Sequence, residues 1–398
     1  MKEKSQAISI STSGQIVLLL GANLTINAGA SLTPVIPNMM EAFSDAPGAG
    51  FWVPLVMTLP ALFVVLGGPV AGFLTDKLGR KPVLVFSLLM AGLGGCAGAI
   101  FDSLWAVLAT RVLVGLGIAG ALTATNSLIA DYFDGDRRSQ FMGRQAAVGG
   151  LLGIIFLPVG GILSGINWRL AFLSYLPLLL LVPLALSEIK EPELAAVAND
   201  SEARFDLHVD WETGYIFSAG FLSQFAFAAV PVYIAYLLYQ VLGVGGEVVG
   251  WLGAASCIFA FAAGILYAKL TQRMAYKSIA VGNYFLFIVG FLLLGLGSTW
   301  VTIILGELLI GFCMGLNNAN LANWLSQVVD FRVRGRANGI FATLMSLGPF
   351  AAPFLFSVVI MRWDYSAAFI LSGLIFGVMG AAGLLISLSS PGSVPRTK

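Results

Sequence analysis

The chain has 398 residues, of which 58% are hydrophobic and only 10% charged, and its formal net charge is +1. A soluble domain covers itself with roughly 25% charged residues, so much of this surface must face lipid. The near-neutral balance leaves no general attraction for nucleic acid, and the mean hydropathy of +0.91 agrees with a membrane protein.

In chain order, the polar start MKEKSQAISI leads into an apolar run that is too long for a signal-peptide core and lacks a cleavage site. It is expected to stay as the first helix. A helix crosses the ~30 Å hydrocarbon core in roughly 20 residues. Runs of that size are centred near Leu20, Leu62, Leu93, Leu116, Ile155, Leu179, Ala228, Phe259, Ile288, Ile310, Ser346 and Val378. They predict an all-α integral membrane fold of twelve transmembrane helices. One long polar segment, Glu188–Glu212, separates two sets of six, giving halves at 1–187 and 213–398 joined by a linker at 188–212.

Basic residues give the orientation. With both termini cytoplasmic, 18 of the 21 Lys and Arg lie in inside segments, including Lys77, Arg80 and Lys81, Arg137, Arg138 and Arg144, and Arg332, Arg334 and Arg336. Arg169 and Arg362 fall near outside turns, and Arg111 lies within a helix. That asymmetry predicts a multi-pass protein of a bacterial inner membrane with the linker inside.

The two sets of six also carry a repeat. A shift of 196 places Arg111-Val-Leu-Val-Gly115 over Glu307-Leu-Leu-Ile-Gly311, and aligns Asp134 with Asp330, Arg138 with Arg334 and Gly143 with Gly339. Two such halves are a transporter architecture, with the site expected between them near the midplane.

Four stretches carry motifs. After helix two the chain reads Gly72-Phe-Leu-Thr-Asp76-Lys-Leu-Gly79-Arg80-Lys81. Gly72 permits close helix approach, Gly79 a tight turn, and Asp76 a pairing with basic groups or a helix end. The equivalent loop of the second half, Gly264-Ile-Leu-Tyr-Ala-Lys269, lacks the Asp. Helix one ends Leu32-Thr-Pro34-Val-Ile-Pro37, and helix four carries Arg111-x-x-x-Gly115-x-x-x-Ala119-Gly120. Helix five reads Gly149-Gly150-Leu-Leu-Gly153-Ile-Ile-Phe-Leu-Pro158-Val-Gly160-Gly161.

The first stretch resembles the cytoplasmic signature of the major facilitator superfamily and the helix-four stretch its buried-arginine motif, while those of helices one and five resemble motifs of its twelve-helix drug–proton antiporters. Helix five departs from the antiporter pattern: Leu157 replaces the usual Gly before Pro158, and one residue fewer precedes Gly160 and Gly161. The resemblance implies a conformational latch at Gly72, Asp76, Gly79 and Arg80. It also implies a bending helix five at Gly153, Pro158, Gly160 and Gly161, suited to alternating access.

Ionisable groups at depth are few. Arg111 and Glu307 stand about a third of the way into helices four and ten, where a charge costs at least ~2.5 kcal/mol. Each either faces a cavity or a partner, or makes a structural hydrogen bond. Glu307 is the leading candidate for proton coupling with Arg111 as its electrostatic counterweight. Asp131, at the inner end of helix four, is a second proton candidate or a helix-end partner of Arg137 or Arg138. Polar residues gather on single faces: Asn23, Asn27 and Pro34 on helix one, and Asn126 near the Arg111 face on helix four. Helix seven groups Phe217, Phe221, Gln224 and Ala228, and helix ten groups Glu307, Gly311, Met314 and Asn318. In the fold that the chain resembles, helices one, four, seven and ten line the cavity, so these faces form the candidate pocket. For Phe217 and Phe221 the favoured reading is packing, with a place in the pocket as the alternative.

Cys96, Cys257 and Cys313 are far apart inside apolar stretches and match no metal or disulfide spacing. His208, the single histidine, lies in the polar linker. No nucleophile–base pair or metal set stands at depth, so neither an enzyme nor a cofactor is expected. The expected function is proton-coupled efflux of amphipathic or drug-like compounds by a monomer in the bilayer. The alternative is transport of one small metabolite, such as a sugar, amino acid or organic acid. A single buried cation and few hydrogen-bonding side chains favour an apolar cargo.

Overall fold

A computed structural model describes residues 10–23, 30–192, 209–330 and 333–389. Its elements are all helical, with no strand among the described residues. In order they are α1 (Thr12–Ala22), a 3-10 turn (Thr33–Val35), α2 (Ile36–Ala42), α3 (Ala49–Leu78), α4 (Arg80–Ala97), α5 (Leu104–Tyr132) and α6 (Gly135–Ile166). A second 3-10 segment (Trp168–Tyr175) leads into α7 (Leu176–Glu188). Then come α8 (Trp211–Phe227), α9 (Ala229–Leu242), α10 (Gly246–Leu270), α11 (Tyr276–Leu296), α12 (Trp300–Val328), α13 (Arg334–Arg362) and α14 (Tyr365–Ser389).

Among the described residues, 11 helical stretches are long and apolar enough to cross a membrane. Each contains one of the predicted centres from Leu62 to Val378. The predicted first span is described only on either side of residues 24–29, as α1 and then the pieces up to Ala42. Proline interrupts neither α6, which carries Pro158, nor α13, which carries Pro349 and Pro353. Neighbouring helices re-satisfy the backbone groups that a proline frees.

The chain forms two compact units, Met1–Pro47 with Leu55–Glu202, and Gly48–Pro54 with Ala203–Lys398. In lipid no hydrophobic force drives helices together, so small residues and close packing do the work. In the first unit a Cβ on Gly117 would lie 2.6 Å from the Ala91 nitrogen, and one on Gly120 would lie 2.0 Å from Ser87 Oγ, so α5 and α4 touch backbone to backbone. In the second unit α11 packs on α14 through rings, with Phe287 and Phe376 stacked at 3.9 Å.

The 196-residue repeat reappears as contacts. A Cβ on Gly115 would lie 2.6 Å from the Pro60 carbonyl oxygen, and one on Gly311 the same 2.6 Å from the Ser256 carbonyl oxygen. Pro60 and Ser256 are themselves 196 apart. Likewise Gly94 abuts the carbonyl of Thr110 at 3.2 Å, and Gly290 abuts that of Gly306 at 3.3 Å. The same glycines therefore hold the same helix pairs in each unit.

Candidate functional site

α12 starts at a capping box on Thr299 and Thr302, and seven residues later buries Glu307. Its neighbour is α10, drawn close by Gly311. Ser256 Oγ of α10 lies 3.1 Å from Glu307 Oε1 and 3.1 Å from the Glu307 carbonyl oxygen. Glu307 Oε2 is buried without a partner among the described residues. A serine has one proton and two lone pairs. With Glu307 ionised, Ser256 donates to the carboxylate. With Glu307 neutral, the carboxyl donates to Ser256 Oγ, and Ser256 turns its proton to the Glu307 carbonyl. Ser256 thus has a partner in both protonation states, while the ionised carboxylate keeps one oxygen unpaired at a depth where a charge is costly.

The rest of the predicted α12 face divides. Met314 is buried, and Asn318 is exposed. On α8, Phe217 is buried and Phe221 and Gln224 are half-buried. Phe217 and Phe221 line a cavity of about 320 Å³ together with Ser218, Leu222 and Leu344. Its lining is aromatic and aliphatic with one hydroxyl. Gln224 stays outside it, against Gly348 of α13, where a glycine Cβ would lie 3.0 Å from Gln224 Cβ. Phe225, stacked on Phe221 at 5.9 Å, backs the ring array.

In the first unit Arg111 is fully buried, and its partners hold it in place. Nη2 donates to the carbonyls of Gly94 and Gly95, each at 3.1 Å, and to Thr110 Oγ1 at 3.0 Å. Nη1 reaches the Tyr175 hydroxyl at 3.5 Å, and the guanidinium lies over the Phe172 ring at 4.9 Å. These partners come from α4, α5 and the second 3-10 segment. Of the two sequence-level alternatives for Arg111, the geometry is that of the structural hydrogen bond. Asn23 is similar: its amide donates to the Leu19 and Gln145 carbonyls at 2.7 and 3.0 Å, tying α1 to α6. Asn126 is exposed on α5, and Asn27 lies outside the described residues.

At the α3–α4 corner, Gly79 has φ +99. Arg80 Nε pairs with Asp131 Oδ2 at 3.0 Å, which places Asp131 on Arg80 rather than on Arg137 or Arg138. The backbone N–H groups of Arg80 and Lys81 donate to Oε1 and Oε2 of Glu191 at 2.6 and 2.7 Å. Lys81 Nζ donates to the Leu186 carbonyl at 2.7 Å, and Tyr132 Oη donates to the Lys190 carbonyl. The corner therefore grips the chain as it leaves α7. In the second unit Lys277, at the position equivalent to Lys81, pairs with Glu212 at 3.0 Å, and Trp324 Nε1 donates to the same carboxylate at 2.6 Å. Asp76 is exposed and carries no ion pair among the described residues. Gly72 does not make the expected close approach, since a Cβ there meets nothing within 4 Å.

On α6, Gly153, Pro158, Gly160 and Gly161 are all buried. A Cβ on Gly160 would lie 2.2 Å from the Ser31 carbonyl oxygen, and the Gly161 carbonyl accepts from Ser164 Oγ at 2.8 Å. Gly160 is where the helix meets the chain at Ser31.

Sequence reasoning missed Ser256, Glu191, and the cavity residues Ser218, Leu222 and Leu344. The repeat held a signal for Ser256, which takes the position of Pro60 where the two halves should match. Glu191 is 111 residues from Arg80, so no local pattern points to it.

Residues 18–212 and 216–398 match the family model described as Major Facilitator Superfamily. The chain is 27% identical to the tetracycline resistance protein, class H, of Pasteurella multocida over 366 residues, covering 88% of this chain and 90% of the relative. It is 26% identical to the class C protein of Escherichia coli over 392 residues, covering 94% and 95%. Among solved structures, a bacterial homolog of the human lysosomal transporter Spinster, in an inward-facing and occupied conformation, superposes with a TM-score of 0.78 at 16% identity, covering 95% of this chain and 97% of that one.

Proposed function

The chain belongs to the Major Facilitator Superfamily, and from that premise we propose that it is a proton-coupled exporter of amphipathic, drug-like compounds that works by alternating access. The observation that carries this reading is the buried Glu307–Ser256 pair, a proton-accepting group with one hydroxyl partner and one unpartnered oxygen. Relatives of near full length named for resistance to a drug support the export of such compounds.

Each residue then has a task. Glu307 takes up and releases the proton, and Ser256 accommodates both of its charge states. The cavity at Phe217, Ser218, Phe221, Leu222 and Leu344 offers apolar cargo a face on which to bind, with a hydroxyl for orientation. Ionised Glu307 costs at least ~2.5 kcal/mol at this depth unless its surroundings rearrange, so its charge state biases one conformation over another. Arg111 fixes the first unit rather than carrying the proton. The latch acts from the cytoplasmic side: Gly79 and Arg80 hold the exit of α7, and Asp76 stands free for a contact made in another conformation. Both termini and the 188–212 linker face the cytoplasm, the side that carries most of the basic residues. The transporter acts as a monomer.

The test is transport in proteoliposomes with an imposed pH gradient and a cargo panel of tetracycline, lipophilic dyes, sugars and amino acids. Uphill movement of the lipophilic compounds, abolished by collapsing the gradient, is the expected result. Movement of a sugar or amino acid alone would replace this reading with that of a metabolite carrier.

A further inference from the structure

At the basic-loop end of the first unit, α1, the α5–α6 junction and the opening turns of α6 surround a cavity of about 180 Å³. Its lining is Gln15, Phe133, Arg137, Gln140, Phe141 and Arg144. Phe133 and Phe141 stack at 4.5 Å and give it an apolar wall. Arg137 and Arg144 are exposed, and neither side chain has a carboxylate or hydrogen-bond partner among the described residues. Three other cations of this protein are held in ion pairs: Arg80 with Asp131, Arg169 with Asp102, and Lys277 with Glu212.

Two like charges converging on one cavity repel each other, and Arg137 stands in the first turn of α6, the positive end of the helix dipole. A cation is disfavoured there and an anion favoured. The side-chain amides of Gln15 and Gln140 add donors. All four polar groups therefore suit an anionic oxygen cluster. Depth narrows the choice of anion. Arg144 is the last charged residue of α6, and the helix carries no charge from there to Ile166, so the cavity lies where headgroups give way to hydrocarbon. A free phosphate gains nothing from a stacked phenyl wall, whereas a lipid presents phosphate and alkyl carbons together at this level.

We propose that this cavity binds the phosphodiester of an anionic phospholipid, with Arg137 and Arg144 on the phosphate oxygens and the first acyl carbons against Phe133 and Phe141. Such a lipid pins α1 to the α5–α6 junction. The inference stands apart from the cargo and from the proton site.

The experiment is native mass spectrometry of the full-length protein titrated with phosphatidylglycerol, with phosphatidylcholine, or with inorganic phosphate. Wild type is expected to retain phosphatidylglycerol in preference to phosphatidylcholine. Arg137→Gln with Arg144→Gln should weaken retention about twenty-five-fold, at about fivefold for each arginine. Arg169→Gln, at the opposite end of the helices, should leave it unchanged. Should the double variant fold poorly, Arg144→Gln alone carries the test with a fivefold loss. Equal retention of the two lipids by wild type, or undiminished retention by the folded variants, overturns the proposal. So does displacement of the lipid by millimolar inorganic phosphate, which would make this a site for a soluble anion.

Discussion

Gly79 has no side chain because Glu191 fills the space where one would stand: a Cβ on Gly79 would lie 2.7 Å from Glu191 Oε1. The carboxylate sits on the first two N–H groups of α4, so a residue just past α7 supplies the cap that the α3–α4 corner lacks. The φ of +99 at Gly79 opens that seat, and it is a conformation that side-chain-bearing residues rarely adopt.

Removing the cap should loosen this corner. Glu191→Ala is expected to destabilise the protein by about 1 kcal/mol, the usual value of an N-cap. Gly79→Ala should do more harm, because it strains the backbone and also expels Glu191. Thermal unfolding of the purified variants, followed by tryptophan fluorescence, checks both. Equal stability of Gly79→Ala and wild type would contradict the seat described here.

Arg111→Ala should cost at least about 2 kcal/mol, since it leaves buried carbonyls of Gly94 and Gly95 without their charged donor. Arg111→Lys should rescue little, because an ammonium cannot reach the carbonyls, Thr110 and Tyr175 together. The decisive measurement is the pH profile of whatever transport remains. An unchanged profile marks Arg111 as structural, and a displaced one would restore it as a counterweight to the proton site.

Glu307→Gln should abolish transport driven uphill by a pH gradient while preserving cargo binding and downhill exchange, because the amide keeps the volume and loses the titration. Ser256→Ala is expected to slow uphill transport several-fold with cargo binding intact, and Ser256→Thr to restore it. Counterflow and gradient-driven uptake in the same vesicles separate the two steps. Wild-type uphill rates in Glu307→Gln would make the residue structural and turn attention to Asp131.

Asp76→Asn should impair transport without affecting insertion or thermal stability, since the carboxylate is exposed and bears no contact that the fold depends on. Expression-matched transport rates test this. Normal rates would remove Asp76 from the latch.

A cysteine introduced at Asn199 should resist impermeant maleimide in intact cells and react once the membrane is opened. Labelling in intact cells would reverse the proposed orientation.

The sequence alone determined what lipid demands of it. Spans, their number in the second half and the repeat were legible because a membrane helix must be apolar for roughly 20 residues whatever its neighbours are. The glycines at 115 and 311 could be matched by offset before any contact was seen, since duplication preserves the close approaches that only small residues allow. Which way a buried charge points was not legible. Arg111 and Glu307 occupy equivalent positions, yet one turns to α4 and closes on carbonyls, while the other turns to α10 and meets a serine. That choice depends on what the adjoining helix presents: at Pro60 there is no hydroxyl to meet, and at Ser256 there is. The cap at Glu191 was hidden for a related reason. Its geometry is a matter of where α7 ends in space, and residues far apart in the chain become partners only once the helices have packed.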